Sequence, residues 1–194
     1  MKRYLFILVI ISLAFTSDNI IDRLTVTGPL DFNETKFILH WSDKPNDNYF
    51  IQEYLPEGEG TETYNQMLTI HLFLTDTKPK EGIQQKMKEL EIRKKTDQNC
   101  NYLVNESPDG KDFIIDFTLG ESKGDMMTIM EFNIYHYRQI DLGKKKKALI
   151  TYAYTKRAYG DGITPFLKTL KQNRVDLLNQ MITSEIPKVK LKDK

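Results

Sequence analysis

The segment from Gln66 to Leu74, QMLTIHLFL, places Leu68, Ile70, Leu72 and Leu74 on one side of an extended chain. A period of two restricts such a segment to a β-strand with one face turned to a core. The same alternation recurs along the chain, each time bounded by turn-forming residues. KFILHW and NYFIQEYL flank SDKPNDN; NYLVNE and DFIIDFTL flank SPDG; MMTIMEFNIYHYRQI and KALITYAYTKR flank DLGKKK. Proline fixes φ and Asn, Asp and Gly tolerate positive φ, so each interruption predicts a hairpin.

Two segments break the pattern. In TDTKPKEGIQQKMKELEIRKKTD, Ile83, Met87 and Leu90 recur at helical spacing. Glu81 stands in the first turn and Arg93, Lys94 and Lys95 in the last, where each sign complements the helix dipole. In GDGITPFLKTLKQNRVDLLNQMITSEIP, Thr164 is the expected N-cap, with Pro165 at the first helical position. Phe166, Leu167, Leu170, Leu177, Leu178, Met181 and Ile182 form its apolar stripe, which runs on toward Pro187. Leu170, Leu177 and Met181 are expected to face the sheet. The fold class expected is therefore α+β, a mainly antiparallel sheet of hairpins with two long helices.

The ends carry a different signal. MKRYLFILVIISLAFTSDN sets Lys2 and Arg3 before an apolar run from Leu5 to Phe15, followed by small residues. That order is a secretory signal peptide, and the run falls well short of the roughly 20 residues a membrane span needs. Residues 1–17 are read as a cleaved signal, 18–186 as one domain and 187–194 as a basic, frayed tail, with export to the periplasm or cell exterior. Of 28 basic residues, the loss of Lys2 and Arg3 leaves 26 against 27 acidic ones, so no global field draws the mature chain to nucleic acid. Cys100 is the single cysteine and has no disulfide partner within the chain.

Strands, helix, two hairpins and helix, in that order over residues 24–186, resemble the PsbP-like α/β/α sandwich, named for the extrinsic photosystem II subunit P. The resemblance lies in segment order and transfers no functional residue. It implies a non-enzymatic module that docks on, or helps assemble, other proteins. A cystatin-like or nuclear-transport-factor-like curved sheet is the alternative, though those folds place their long helix nearer the N-terminus.

For chemistry, PEGEGTETYN between two strands offers Glu57, Glu59 and Glu62 as oxygen donors beside two glycines. The Asp/Asn alternation of a calcium loop is missing, so no metal is expected there. The loop's length instead makes Glu57, Glu59, Glu62 and Tyr64 a candidate partner or ligand contact. Lys144, Lys145, Lys146 and Lys147 form a candidate basic hairpin tip, suited to an acidic partner or to keeping a sheet edge soluble. His40, His71 and His136 each fall within an expected strand, outside any ligand spacing, and read as structural. Nucleophile elbows, phosphate loops and zinc signatures are not found, and no cofactor is expected. The reading is an exported, non-enzymatic binding or assembly module that meets a protein partner or small ligand. The alternative is an exported hydrolase-like enzyme.

Overall fold

The computed structural model describes residues 20–192. The predicted signal segment, residues 1–17, lies outside them. Eight strands form one antiparallel sheet: β1 (Leu30–Phe32), β2 (Thr35–Asn46), β3 (Tyr49–Leu55), β4 (Gln66–Phe73), β5 (Asn101–Glu106), β6 (Asp112–Lys123), β7 (Met126–Asp141) and β8 (Lys147–Tyr159). Their spatial order is β1-β2-β3-β4-β8-β7-β6-β5. Helix α1 (Pro79–Arg93) connects β4 to β5, and α2 (Ile163–Thr183) follows β8.

Because neighbouring strand residues point to opposite faces, the packing of each helix identifies the face it covers. Leu68, Ile70 and Leu72 join Phe132, Ile134, Ile150, Tyr152 and Tyr154 in one core, closed by Ile163, Phe166, Leu170, Leu177 and Met181 of α2. The opposite face supplies Phe113, Ile115, Phe117, Tyr137 and Leu149, which pack with Ile83 and Leu90 of α1. The two helices thus lie on opposite sides of the sheet. α2 extends the length of a broad apolar core, whereas α1 packs on β6 and β7 and leaves the same face of β3 and β4 without a helix.

Several local expectations shift. The first expected turn, SDKPNDN, narrows to Asp47–Asn48: β2 continues through Pro45, where a register irregularity between Asp43 and Asn46 accommodates a residue that cannot donate to the ladder. The short strand β1 pairs with β2 and carries no alternation long enough to read. Helix α2 begins at Ile163 after a 3₁₀ turn at Gly160–Gly162, so Gly162, and not Thr164, is the N-cap; the helix ends at Thr183. The C-terminal tail, expected to fray, is docked as far as Val189 and Lys190. Val189 is buried, and Lys190 N donates to Leu24 O at 2.9 Å.

That contact joins an anchored N-terminal segment. Gln52 Oε1 accepts from Arg23 N (2.7 Å) and Leu24 N (2.9 Å), and Tyr54 Oη donates to Val26 O at 2.7 Å. Gln52 and Tyr54 are fully buried, and satisfying them with this backbone is what makes a polar pair tolerable there.

Candidate functional site

Helix α1 is held firmly at both ends. At its start, Glu81 Oε2 accepts from Lys78 N at 2.9 Å, and Lys78 Nζ donates to Gln139 Oε1 of β7 at 3.1 Å. Past its end, the buried Asp97 accepts from Gly120 N at 2.7 Å while Arg93 Nη2 donates to Gly120 O at 2.8 Å. Gly82 lets the helix approach the sheet closely, since a Cβ there would stand 2.8 Å from Leu149 Cδ2. These contacts fix α1 as one wall of an open pocket of about 600 Å³ against the sheet.

The opposite wall comes from β3 and β4. Tyr49 stacks on Phe73 with ring centroids 4.5 Å apart and planes 2° from parallel. Tyr49 Oη and His71 Nδ1 share a 2.9 Å hydrogen bond. Lys86 of α1 stands 5.3 Å from the Tyr135 ring and 5.4 Å from the Phe117 ring, and its Nζ pairs with Glu89 at 3.0 Å. Asn46, Asn48 and Gln85 add amide groups at the rim, and Thr151 lies at the base.

The electrostatics follow from this enclosure. Loss of water, with Lys86 second, lowers the His71 imidazole to about 4, so the ring is neutral at pH 7. Burial, then the charges of Glu53 and Asp43, raises the Tyr49 phenol. Tyr135 is raised above the ordinary phenol range by burial first, then by Glu131, Tyr49, Glu89 and Glu53.

The strand register carries the same face past the pocket lining, along a strip we term the furrow. One row across the sheet reads Phe113, Tyr137, Thr151, His71, Ile51, Asp43; the next reads Ile115, Tyr135, Ala153, Thr69, Glu53, Trp41. Thr151, Ala153 and Thr69 are small and buried, whereas Tyr135, His71 and Glu53 beside them are larger and half-exposed. Thr69 on β4 and Thr151 and Ala153 on β8 thus make a floor of small residues, with Tyr135 of β7 on one side and Glu53 of β3 on the other.

The sequence candidates lie elsewhere. Glu59 is a fastener: its Oε2 accepts from Asn65 N at 2.6 Å and Gln66 N at 3.1 Å, drawing the ends of the 56–65 loop together. Glu57 and Glu62 are exposed. Among the described residues no group of three or more His, Cys, Asp or Glu side chains is placed to hold a metal. Tyr64 is not a surface contact; it is buried, with the Arg157 guanidinium 4.2 Å from its ring centre and Tyr159 Oη donating to its carbonyl at 2.9 Å. Lys144 to Lys147 are exposed at the β7–β8 turn, at the same end of the sheet as Phe73 and Leu149 of the pocket lining, and the 56–65 loop is at the other end. Cys100 is buried behind α1 with its thiol raised by burial and then by Asp97, which makes it unreactive. No helix among the described residues is long and apolar enough to cross a membrane.

Of the site residues, sequence reasoning assigned His71 to structure and passed over Tyr49, Lys86 and Tyr135. The available signal was the face opposite the leucines: Tyr49, Ile51, Glu53 on β3, Thr69, His71, Phe73 on β4 and Thr151, Ala153, Thr155 on β8. Tyr49, His71, Phe73 and Thr151 of that face line the pocket. A protein-family model matches residues 24–186. No curated protein and no solved structure matches the chain.

Proposed function

The chain belongs to the family whose model covers residues 24–186, and from that premise we propose that it is a non-enzymatic binding module, acting after export and holding a small ligand between α1 and the sheet. One observation carries the reading: the pocket has stacked aromatic walls and titratable groups already committed to one another. Tyr49 is bonded to His71, and Lys86 to Glu89. A catalytic acid or base needs a proton affinity near the working pH. Desolvation holds His71 near 4 instead, which suits an uncharged, shape-defining group. Aromatic surface with a few placed polar atoms is the usual make-up of a small-molecule receptor.

Export is supported by Lys2, Arg3 and the apolar run from Leu5 to Phe15. A PsbP-like relationship is supported by segment order and by helices on both sides of an antiparallel sheet. The exposed Lys144 to Lys147 tip, at the same end of the sheet as Phe73 and Leu149 of the pocket lining, is the surface we assign to a protein partner of the envelope. The test is a thermal-shift assay with the low-molecular-weight fraction of the native compartment. That fraction should raise the Tm of the wild type, because a ligand bound only by the folded state stabilises it by mass action. It should leave a Tyr49→Ala, Lys86→Ala variant unmoved. An equal shift in both proteins, or none in either, would refute the pocket as the binding site.

A further inference from the structure

The furrow continues beyond His71 to Glu53, and the charges around it are unevenly matched. Glu89 is paired with Lys86. Glu131 on β7 accepts from Arg157 Nε at 2.6 Å. Glu53 lies on the same face but on β3, across β4 from β8 and β7, half-buried, and makes no hydrogen bond or ion pair among the described residues. It is near enough to both tyrosines of the furrow for its charge to act on Tyr49 and on Tyr135. Its cross-strand neighbours are Thr69 on one side and Trp41, 41% exposed, on the other.

A carboxylate withdrawn from water with no counter-charge is costly to keep. The penalty is visible in Glu53 itself, whose carboxyl is pushed up by desolvation. Such a group is stabilised by a cation that arrives from outside. Lys86 and Arg157, cations on this side of the sheet, are engaged by Glu89 and Glu131. Aromatic rings beside a carboxylate are the surroundings in which an organic cation is held best, because the ring faces attract positive charge and exclude water.

Resting on the reading of the α1 side as a binding site, we propose that the furrow takes a small organic cation, an amine or quaternary ammonium. Its charged nitrogen lies against Glu53, and its body lies along the small-residue floor between Trp41 and Tyr135. Metal ions are a poorer fit: Glu53 and Asp43 are the two carboxylates of these rows, they stand beside aromatic carbon, and among the described residues no group of three or more His, Cys, Asp or Glu is placed to hold a metal, which would need several oxygens.

Trp41 is the only tryptophan in the chain and reports on this row directly. Trp41 fluorescence is followed while the full mature chain is titrated with butylamine, with choline and with 3,3-dimethylbutanol, the neutral isostere of choline. At least one cation should give a saturable change, with tenfold or greater weakening for the alcohol and for the Glu53→Gln variant. Which cation binds more tightly tells amine from quaternary ammonium. Circular dichroism of Glu53→Gln verifies that its fold is kept. No saturable response to either cation, or an equal response from the alcohol or from Glu53→Gln, overturns the proposal. If the native low-molecular-weight fraction still stabilises the wild type in that event, the pocket remains a binding site and only the charge of its ligand has been misassigned.

Discussion

His71 and Glu53 show how one sheet face imposes opposite effects on a base and an acid. Both lose water, so both favour their neutral forms, which lowers the histidine and raises the glutamate. For His71 the unfolded chain binds its proton near the ordinary value of 6.5, whereas the folded chain resists it down to about 4. Between those two values the unfolded state holds more protons, so stability falls as pH falls. His71→Gln should remove this part of the acid sensitivity. At about 1.4 kcal/mol per pKa unit, the difference between the two proteins has an upper limit of about 3 kcal/mol, reduced by the open edge of the ring. Denaturant unfolding from pH 7 to pH 4 measures it, and parallel curves for the two proteins would show that His71 is solvated. For Glu53 the sign reverses. Its folded value is raised, so the ionised form costs stability at neutral pH, and Glu53→Gln should stabilise the free protein by about 0.5–2 kcal/mol. That gain should fade below the carboxylate range, where Glu53 is protonated in both states. A destabilised Glu53→Gln protein at pH 7 would mean that the carboxylate has a structural partner.

At the scale of elements, the two helices are held by different means. α1 is fixed at its ends by polar contacts, and its middle passes over the pocket. α2 is fixed along its length by apolar packing and by an ion pair between the partly exposed Arg174 and the buried Asp116, in which Arg174 Nε donates to Asp116 Oδ2 at 2.6 Å. Asp116 is fully buried, and its carboxyl is raised by desolvation even with the guanidinium beside it. The pair is therefore a poor source of net stability but an expensive one to break. Arg174→Ala should cost on the order of 1–3 kcal/mol, because it leaves a buried carboxylate without its partner while the exposed side of the guanidinium site admits water. The double replacement Asp116→Leu with Arg174→Met should recover most of that loss. No effect of Arg174→Ala in urea unfolding would place the middle of α2 off the sheet.

For the whole molecule, the strands and helices were legible because their periods are strong. Leu68, Ile70 and Leu72 are core, and Ile83, Leu90, Leu170, Leu177 and Met181 face the sheet. The candidate site was not legible for a physical reason. It is made by one face of several strands, and each strand contributes only one or two of its residues. Tyr135, Thr69 and Glu53 are far apart in sequence and meet only through the register of β7, β8, β4 and β3. Local reading favoured the conspicuous acidic loop instead, where Glu59 is a clasp and Tyr64 is packed away. The tail was misjudged for a related reason. Val189 finds its burial, and Lys190 its backbone partner Leu24, at the far end of the chain. The proposed export is tested at this scale too. N-terminal sequencing of the native protein should begin near Ser17 or Asp18, and recovery of Met1 would contradict it.

The central claim is that the α1 side of the sheet is where this protein meets its ligand. Backbone amide shifts, recorded while the low-molecular-weight fraction of the native compartment is added to labelled mature protein, test it most directly. The account predicts changes concentrated at Tyr49, Glu53, His71, Lys86 and Tyr135, with the α2 side and the 56–65 loop unmoved. Changes concentrated on α2 or on that loop, with the furrow silent, would contradict it.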